Sequence, residues 1–188
     1  MSNLFQKLEQ EAFRAGITPR SKESREWFRK KASQLNRVNR NELMKDESVD
    51  LKNRFRPGAM MMFYYDPKTK DKLPYYDSFP LSIVVDKAEG GFYGLNLHYL
   101  PPILRAKFLD SLMDNIQGGR FNVTYNFLKR ASSMKYFKPC FKHYLTDHVK
   151  SRFAFVQEPE WEIATFLPTA DFQKASKSLV YSDSRKVI

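Results

Sequence analysis

The sequence predicts an α+β fold: a small, SH3-like, partly open β-barrel with a basic helical segment before it and helices after it. Three observations carry that expectation. Between Pro57 and Leu100, three apolar, β-branched or aromatic runs alternate with turn clusters, as short antiparallel strands do. Ahead of them, apolar residues recur at helical spacing in residues 3–15 and again from Trp27 to Leu35. Behind them, Ile103, Leu104, Phe108, Leu109, Leu112, Met113 and Ile116 fall on one helical face after Pro101-Pro102. The expected division is a partly basic helical segment over 1–50 and an α+β domain over 51–188, centred on the strand-rich module 57–100.

Leu4, Phe5, Leu8, Ala12 and Phe13 give the first helix its stripe, and Gly16 is its stop. For the second helix, Thr18 before Pro19 offers a cap and Ser21 is the alternative. Residues 36–50 are polar and read as a linker with one short helix near Glu42–Asp46. Ala59–Tyr65 is the first expected strand, followed by a turn over Asp66–Asp71. Leu73–Pro80 holds two prolines and three aromatics, so it should be an extended edge or a loop, because proline donates no ladder hydrogen bond. Leu81–Val85 and Phe92–Leu97 read as a strand pair joined by a turn over Lys87–Gly91, with Gly94 as a bulge or close-approach point.

The helix after Pro102 should end at Gly118-Gly119. Another is expected within Phe121–Met134, packed through Tyr125, Phe127, Leu128 and Ala131. Pro139 should open a short helix reaching Val149, and Ser151–Val156 should be a strand joining the sheet. Glu158–Leu167 fits helix or strand. A last helix is expected over Ala170–Ser178, with Leu179–Ile188 extended.

Composition narrows the function classes. With 42% hydrophobic residues the chain can build a real core. Its longest apolar runs are too short to cross a bilayer, and polar residues interrupt the N-terminal stretch, so synthesis in the cytoplasm and no membrane insertion are expected. Cys140 is the single cysteine, which excludes an internal disulfide and leaves a small buried hydrophobe as its expected role. The net charge of +11 points to an acidic partner: nucleic acid, an acidic protein surface or anionic lipid.

That charge is concentrated. Arg20, Lys22, Arg25, Arg29, Lys30, Lys31, Arg37 and Arg40 face only Glu23 and Glu26 within the same stretch. Such a stripe suits phosphates or another acidic partner, and equally suits a solvated helix face. The aromatics of the central module also have two readings. Inward they are core; outward, Tyr75, Tyr76 and Phe79 would form a partner-binding loop able to stack bases or clamp a peptide.

No catalytic pattern emerges, and neither cofactor nor metal is expected. His143 and His148 are five apart, which splays them on a helix, and His98 reads as a core histidine bonded to backbone. Asp66, Lys68, Asp77 and Asp86 could meet to form a nuclease site, but each is also an ordinary turn residue. Gly90-Gly91 lacks the lysine and hydroxyl residue of a phosphate-binding loop.

The strings YDPKTKDKLPYYDSFPL from Tyr65, GGFYGLNLHYLPP from Gly90, KHYLTDHVKSRF and EWEIATFLPTADF resemble a small protein family of T4-like contractile-tail phages, over residues 20–188. The resemblance carries no catalytic residues. It implies a virion or DNA-associated phage protein made in the host cytoplasm. Two functions then compete. One is a non-enzymatic structural or assembly component of the particle (neck, head-completion or baseplate), touching other phage structural proteins or its own copies, with DNA as a further partner. The other is a cytoplasmic nucleic-acid-binding accessory factor that uses the basic 20–40 helix. A metal-dependent nuclease stands third.

Overall fold

The computed structural model describes residues 4–46, 49–116, 130 and 135–188. The first helix, α1 (Leu4–Arg14), buries Phe5, Leu8 and Ala12. Phe13, expected in that stripe, is instead 84% exposed. Gly16 ends the turn with a φ of 72°, a left-handed conformation that glycine adopts at least cost. Helix α2 (Lys22–Ser33) starts at the alternative cap. The Ser21 hydroxyl accepts from the Ser24 N–H and the Ser24 hydroxyl accepts from the Ser21 N–H, both at 3.0 Å. This reciprocal box satisfies two donors that a helix start leaves open. A short α3 (Arg40–Lys45) follows its Asn39 cap.

Six strands make one antiparallel sheet in the order β1–β7–β2–β4–β5–β6. They are β1 (Asp50–Lys52), β2 (Met60–Met62), β4 (Leu81–Ala88), β5 (Gly91–Asn96), β6 (Phe141–Leu145) and β7 (Phe153–Val156). A second, two-stranded sheet pairs β3 (Tyr76–Asp77) with β8 (Phe172–Gln173). The larger sheet is open, with β1 and β6 as its edges, and does not close into the expected SH3-like barrel. The reason lies in the C-terminal strands: β6 extends one side and β7 inserts between β1 and β2, so the sheet grows in width.

Strand alternation sorts the core to two faces. Met60, Met62, Leu81, Ile83, Ala154 and Val156 join the main cluster with the helices α1, α2, α4 (Pro102–Ile116) and α5 (Trp161–Phe166). Met61, Phe63, Val84, Phe92, Tyr144, Phe153 and Phe155 form a smaller aromatic cluster on the other face. There the Phe63 ring meets Tyr65, Phe92, Tyr144 and Phe153 edge-on at centroid distances of 5.2–6.2 Å.

Three expectations give way. The helix predicted from Pro139 is strand β6: Pro139 lies inside a 3-10 turn over Lys135–Cys140, and pairing with β5 makes the next five residues a strand. The final helix α6 runs over Lys177–Val187, capped by Ser176, where an extended tail was expected. Residues before it are held by β8 and by Lys174 at a φ of 68°, which helix cannot accommodate. The polar stretch before Lys52 supplies strand β1. The ambiguous Glu158–Leu167 segment resolves to a 3-10 turn and α5. The helix expected within Phe121–Met134 and the stop at Gly118-Gly119 lie outside the described residues.

Candidate nucleic-acid interface

The eight basic residues divide by what the fold does with them. Arg25 is buried on the inner face of α2, paired with Asp110 of α4 and 3.8 Å from Glu162 of α5. Glu162 also accepts from the Ser24 hydroxyl at 2.5 Å and from the Arg20 N–H at 2.8 Å. One buried carboxylate thereby fixes the start of α2 to α5. Arg40 turns inward too, donating to the Thr169 carbonyl at 2.7 Å and the Ala170 carbonyl at 2.6 Å. These two arginines hold the scaffold, Arg25 from within the core and Arg40 from a half-buried position.

The other six remain at the surface. Arg29 and Lys30 share Glu26, Lys31 reaches Glu11 at 2.9 Å, and Arg20 lies 3.6 Å from Glu158. Such exposed pairs are weak and exchangeable, so they leave the cations available to another anion. Lys22 and Arg37 are exposed and form no ion pair among the described residues. Arg29, Lys30 and Lys177 border a cleft of about 500 Å³ between α2 and α6, and Arg37 and Arg40 border a neighbouring one of about 640 Å³ with Asn39, Asn41 and Tyr64. Four of the eight basic residues, Arg29, Lys30, Arg37 and Arg40, thus border two concavities on the α2–α3 side, and Arg20, Lys22 and Lys31 lie outside them.

A second site lies beyond the sheet edge. Tyr65, Lys68, Tyr75, Tyr76, Tyr99, Lys142 and Tyr144 are among the residues lining a cavity of about 310 Å³ between β6 and the 65–76 loop. Tyr75 and Tyr76 of the predicted partner-binding loop are here, each half-buried. Phe79, the third, is 0% exposed in the main core. The Lys142 ammonium sits 3.9 Å from the centre of the Tyr99 ring. Burial draws its amine below the ordinary lysine value.

Behind that cavity lies a polar centre which sequence reasoning treated as turn chemistry. Asp77 Oδ1 accepts from the Phe79 and Asp171 N–H groups at 3.0 and 3.1 Å. Its Oδ2 takes His98 Nδ1 at 2.6 Å and Asn96 Nδ2 at 3.0 Å. His98 Nε2 meets the Thr169 hydroxyl at 3.0 Å, so the partners assign the proton to Nδ1 and leave Nε2 to accept. Hence His98 is the buried core histidine expected, but its ring partners are side chains and not backbone. Burial pushes the Asp77 carboxyl up, but the neighbouring His98 ring and the hydrogen bonds from His98, Asn96 and the Asp171 N–H outweigh it, leaving it below its ordinary value. Burial holds His98 below its own, so the imidazole is neutral.

Acid, imidazole and hydroxyl follow the order of a nucleophilic triad. Yet both His98 and Thr169 are 0% exposed, so no substrate carbonyl can reach the hydroxyl. The arrangement ties β3, the end of β5 and the segment leading into β8 together. A second buried centre does the same for the helices. Arg105 donates to the carbonyls of Leu100, Thr165 and His98 and to the Tyr181 hydroxyl, at 2.6–3.2 Å.

The remaining candidates have local partners. His143 Nε2 meets the Glu89 carbonyl and His148 Nδ1 the Asp66 carbonyl, both at 2.9 Å. Asp66 pairs with Lys70 at 2.9 Å, and Asp86 accepts from the Lys87 N–H. Among the described residues no three His, Cys, Asp or Glu side chains are grouped to hold a metal ion, and no helix is long and apolar enough to cross a membrane. Cys140 is buried, its thiol pushed up to about 12 by that burial.

Fold and site together define a basic α+β protein whose buried polar residues, Arg25 and Arg105 among them, join its elements while most of the 20–40 cations stay at the surface. The chain belongs to the phage T4 terminal DNA protecting protein family, whose sequence pattern it matches over residues 1–188. No curated protein and no solved structure matches it. Membership agrees with the T4-like phage resemblance and makes this a phage protein of a DNA-associated family.

Proposed function

We propose that this chain binds the ends of linear phage DNA and shields them without chemistry of its own. The observation that carries the reading is the family match over the full 188 residues. The net charge of +11 supplies the affinity, because releasing counterions from phosphates drives binding that ignores sequence. Arg20, Lys22, Arg29, Lys30, Lys31 and Arg37 make the phosphate contacts from the 1–50 segment. The 51–188 part presents Tyr75 and Tyr76. Shielding the end of packaged DNA requires the protein to travel with it, so the head or neck fits better than a baseplate, with neighbouring structural proteins as further partners.

The test is digestion of a linear duplex by an exonuclease, with a closed circle and an endonuclease as control. Protection confined to the linear substrate is the expected result. Equal digestion with and without the protein would overturn the proposal. Mass spectrometry of purified particles then separates a virion component from a cytoplasmic accessory factor, since the second would be missing from them.

A further inference from the structure

The cavity beside β6 has a composition that its structural role does not explain. Five tyrosines line it: Tyr65, Tyr75, Tyr76, Tyr99 and Tyr144. Lys142 stands among them over the face of Tyr99, with no carboxylate paired to it among the described residues. A half-buried cation without a counterion is costly to hold, and an incoming anion repays that cost. The Asp77 carboxylate on the cavity wall acts on Lys142 only through space and forms no ion pair with it, its two oxygens already holding four donors. Lys68 at the same wall adds a second, exposed cation.

Resting on the end-binding reading above, we propose that this cavity receives one unpaired terminal nucleotide of a DNA strand, the base against Tyr75 and Tyr76 and the phosphate at Lys142. The volume of about 310 Å³ is at the lower end of small-ligand sites, room for one nucleotide and not for a stacked pair. Every base has a π-face, so tyrosine stacking accepts any of the four. The pocket also answers how a sequence-blind cationic protein tells an end from the interior. Drawing a base out of the stack costs a few kcal/mol within a duplex. A terminal base has one stacking neighbour instead of two, so that cost is lowest at an end.

The experiment compares binding to a duplex with a mismatched, frayed end and to the same duplex closed by hairpins at both ends. The wild-type chain should prefer the frayed end by about tenfold, the size of one stacked base. Lys142→Gln should lose that preference while holding the hairpin-closed duplex as before, and Tyr75→Ala should lose the preference too. Variants that keep the full preference overturn the pocket and leave end binding standing. A wild-type chain that binds both duplexes alike removes the end-binding reading and the pocket with it. Photocrosslinking on the unaltered protein guards against a misfolded variant: a terminal 4-thiothymidine should attach to Tyr75, Tyr76 or Lys142. Attachment confined to α2 would overturn the assignment.

Discussion

Asp77 gathers four donors where water cannot replace any of them, and that makes it the residue whose loss should be felt most. Asp77→Asn keeps the shape but turns one acceptor into a donor facing other donors. The expected cost is about 3–5 kcal/mol, that of breaking a buried charged contact, read from urea unfolding. The pair with His98 also sets a pH dependence. Both groups sit below their ordinary values in the folded chain, so the unfolded chain binds more protons in acid. Stability is therefore complete above about pH 6.5, falls as unfolded histidine protonates, and falls again below about pH 4 as the carboxyl does. A melting temperature that stays flat from pH 7 to pH 5 would refute the neutral, buried His98. Arg105 offers a parallel case, since Arg105→Met strands carbonyls of Leu100, Thr165 and His98. At about 1–3 kcal/mol for each group left bare, that change should rival the loss at Asp77.

Among the elements, the β4–β5 hairpin gives the sharpest expectation. A Cβ on Gly94 would stand 2.2 Å from the Ser82 hydroxyl, and that hydroxyl has no hydrogen-bond partner among the described residues. Gly94→Ala should therefore destabilise the chain, while Ser82→Ala alone should be neutral or mildly stabilising. Combining them should recover most of the loss, a coupling that thermal melts of the four proteins would measure. Gly91 has no such remedy, because its Cβ would meet the Tyr144 carbonyl at 1.8 Å. The contrast also explains what the sequence could reveal. Helices α1, α2 and α4 and the hairpin were legible because period and punctuation are local. Strand β6 was not, since Phe141–Leu145 becomes a strand through pairing with β5, and Pro139 beforehand misdirects. The start of α6 was hidden for the same kind of reason: β8 and Lys174 claim residues that the pattern alone would spend on helix.

At the scale of the molecule, affinity for DNA should fall steeply with salt. Neutralising Lys22, Lys30 and Arg37 together should flatten the logarithmic salt slope by about 2–3, near 0.9 for each phosphate that is no longer neutralised. Neutralising Arg25 or Arg40 should instead lower stability, with no comparable change in slope at temperatures where the chain stays folded. Nothing near Arg25 in the chain distinguishes it from Arg29. The difference is made by Asp110 and Glu162, far along the sequence, and by Thr169 and Ala170 for Arg40. The candidate site was half legible for this reason. Its residue types and the aromatic loop could be read, but which cations face solvent depends on partners that only the fold supplies. The joining of Asp77, His98 and Thr169 into one buried centre was missed likewise, the three being separated by 21 and 71 positions.

Strand β7 has a further consequence, for the order in which the chain can be made and folded. It lies between β1 and β2, so that Asp50 stands beside Phe155 and Met62 beside Ala154. A nascent chain that has emerged only as far as the β4–β5 hairpin holds two strands, β1 and β2, with the gap between them unfilled. Its apolar faces must wait, exposed, until the last fifth of the protein leaves the ribosome. Closing so long a loop is slow, and slow closure lengthens exposure to aggregation. Stopping synthesis before residue 153 should yield an insoluble fragment, whereas removing α6 alone should leave the six strands able to pair.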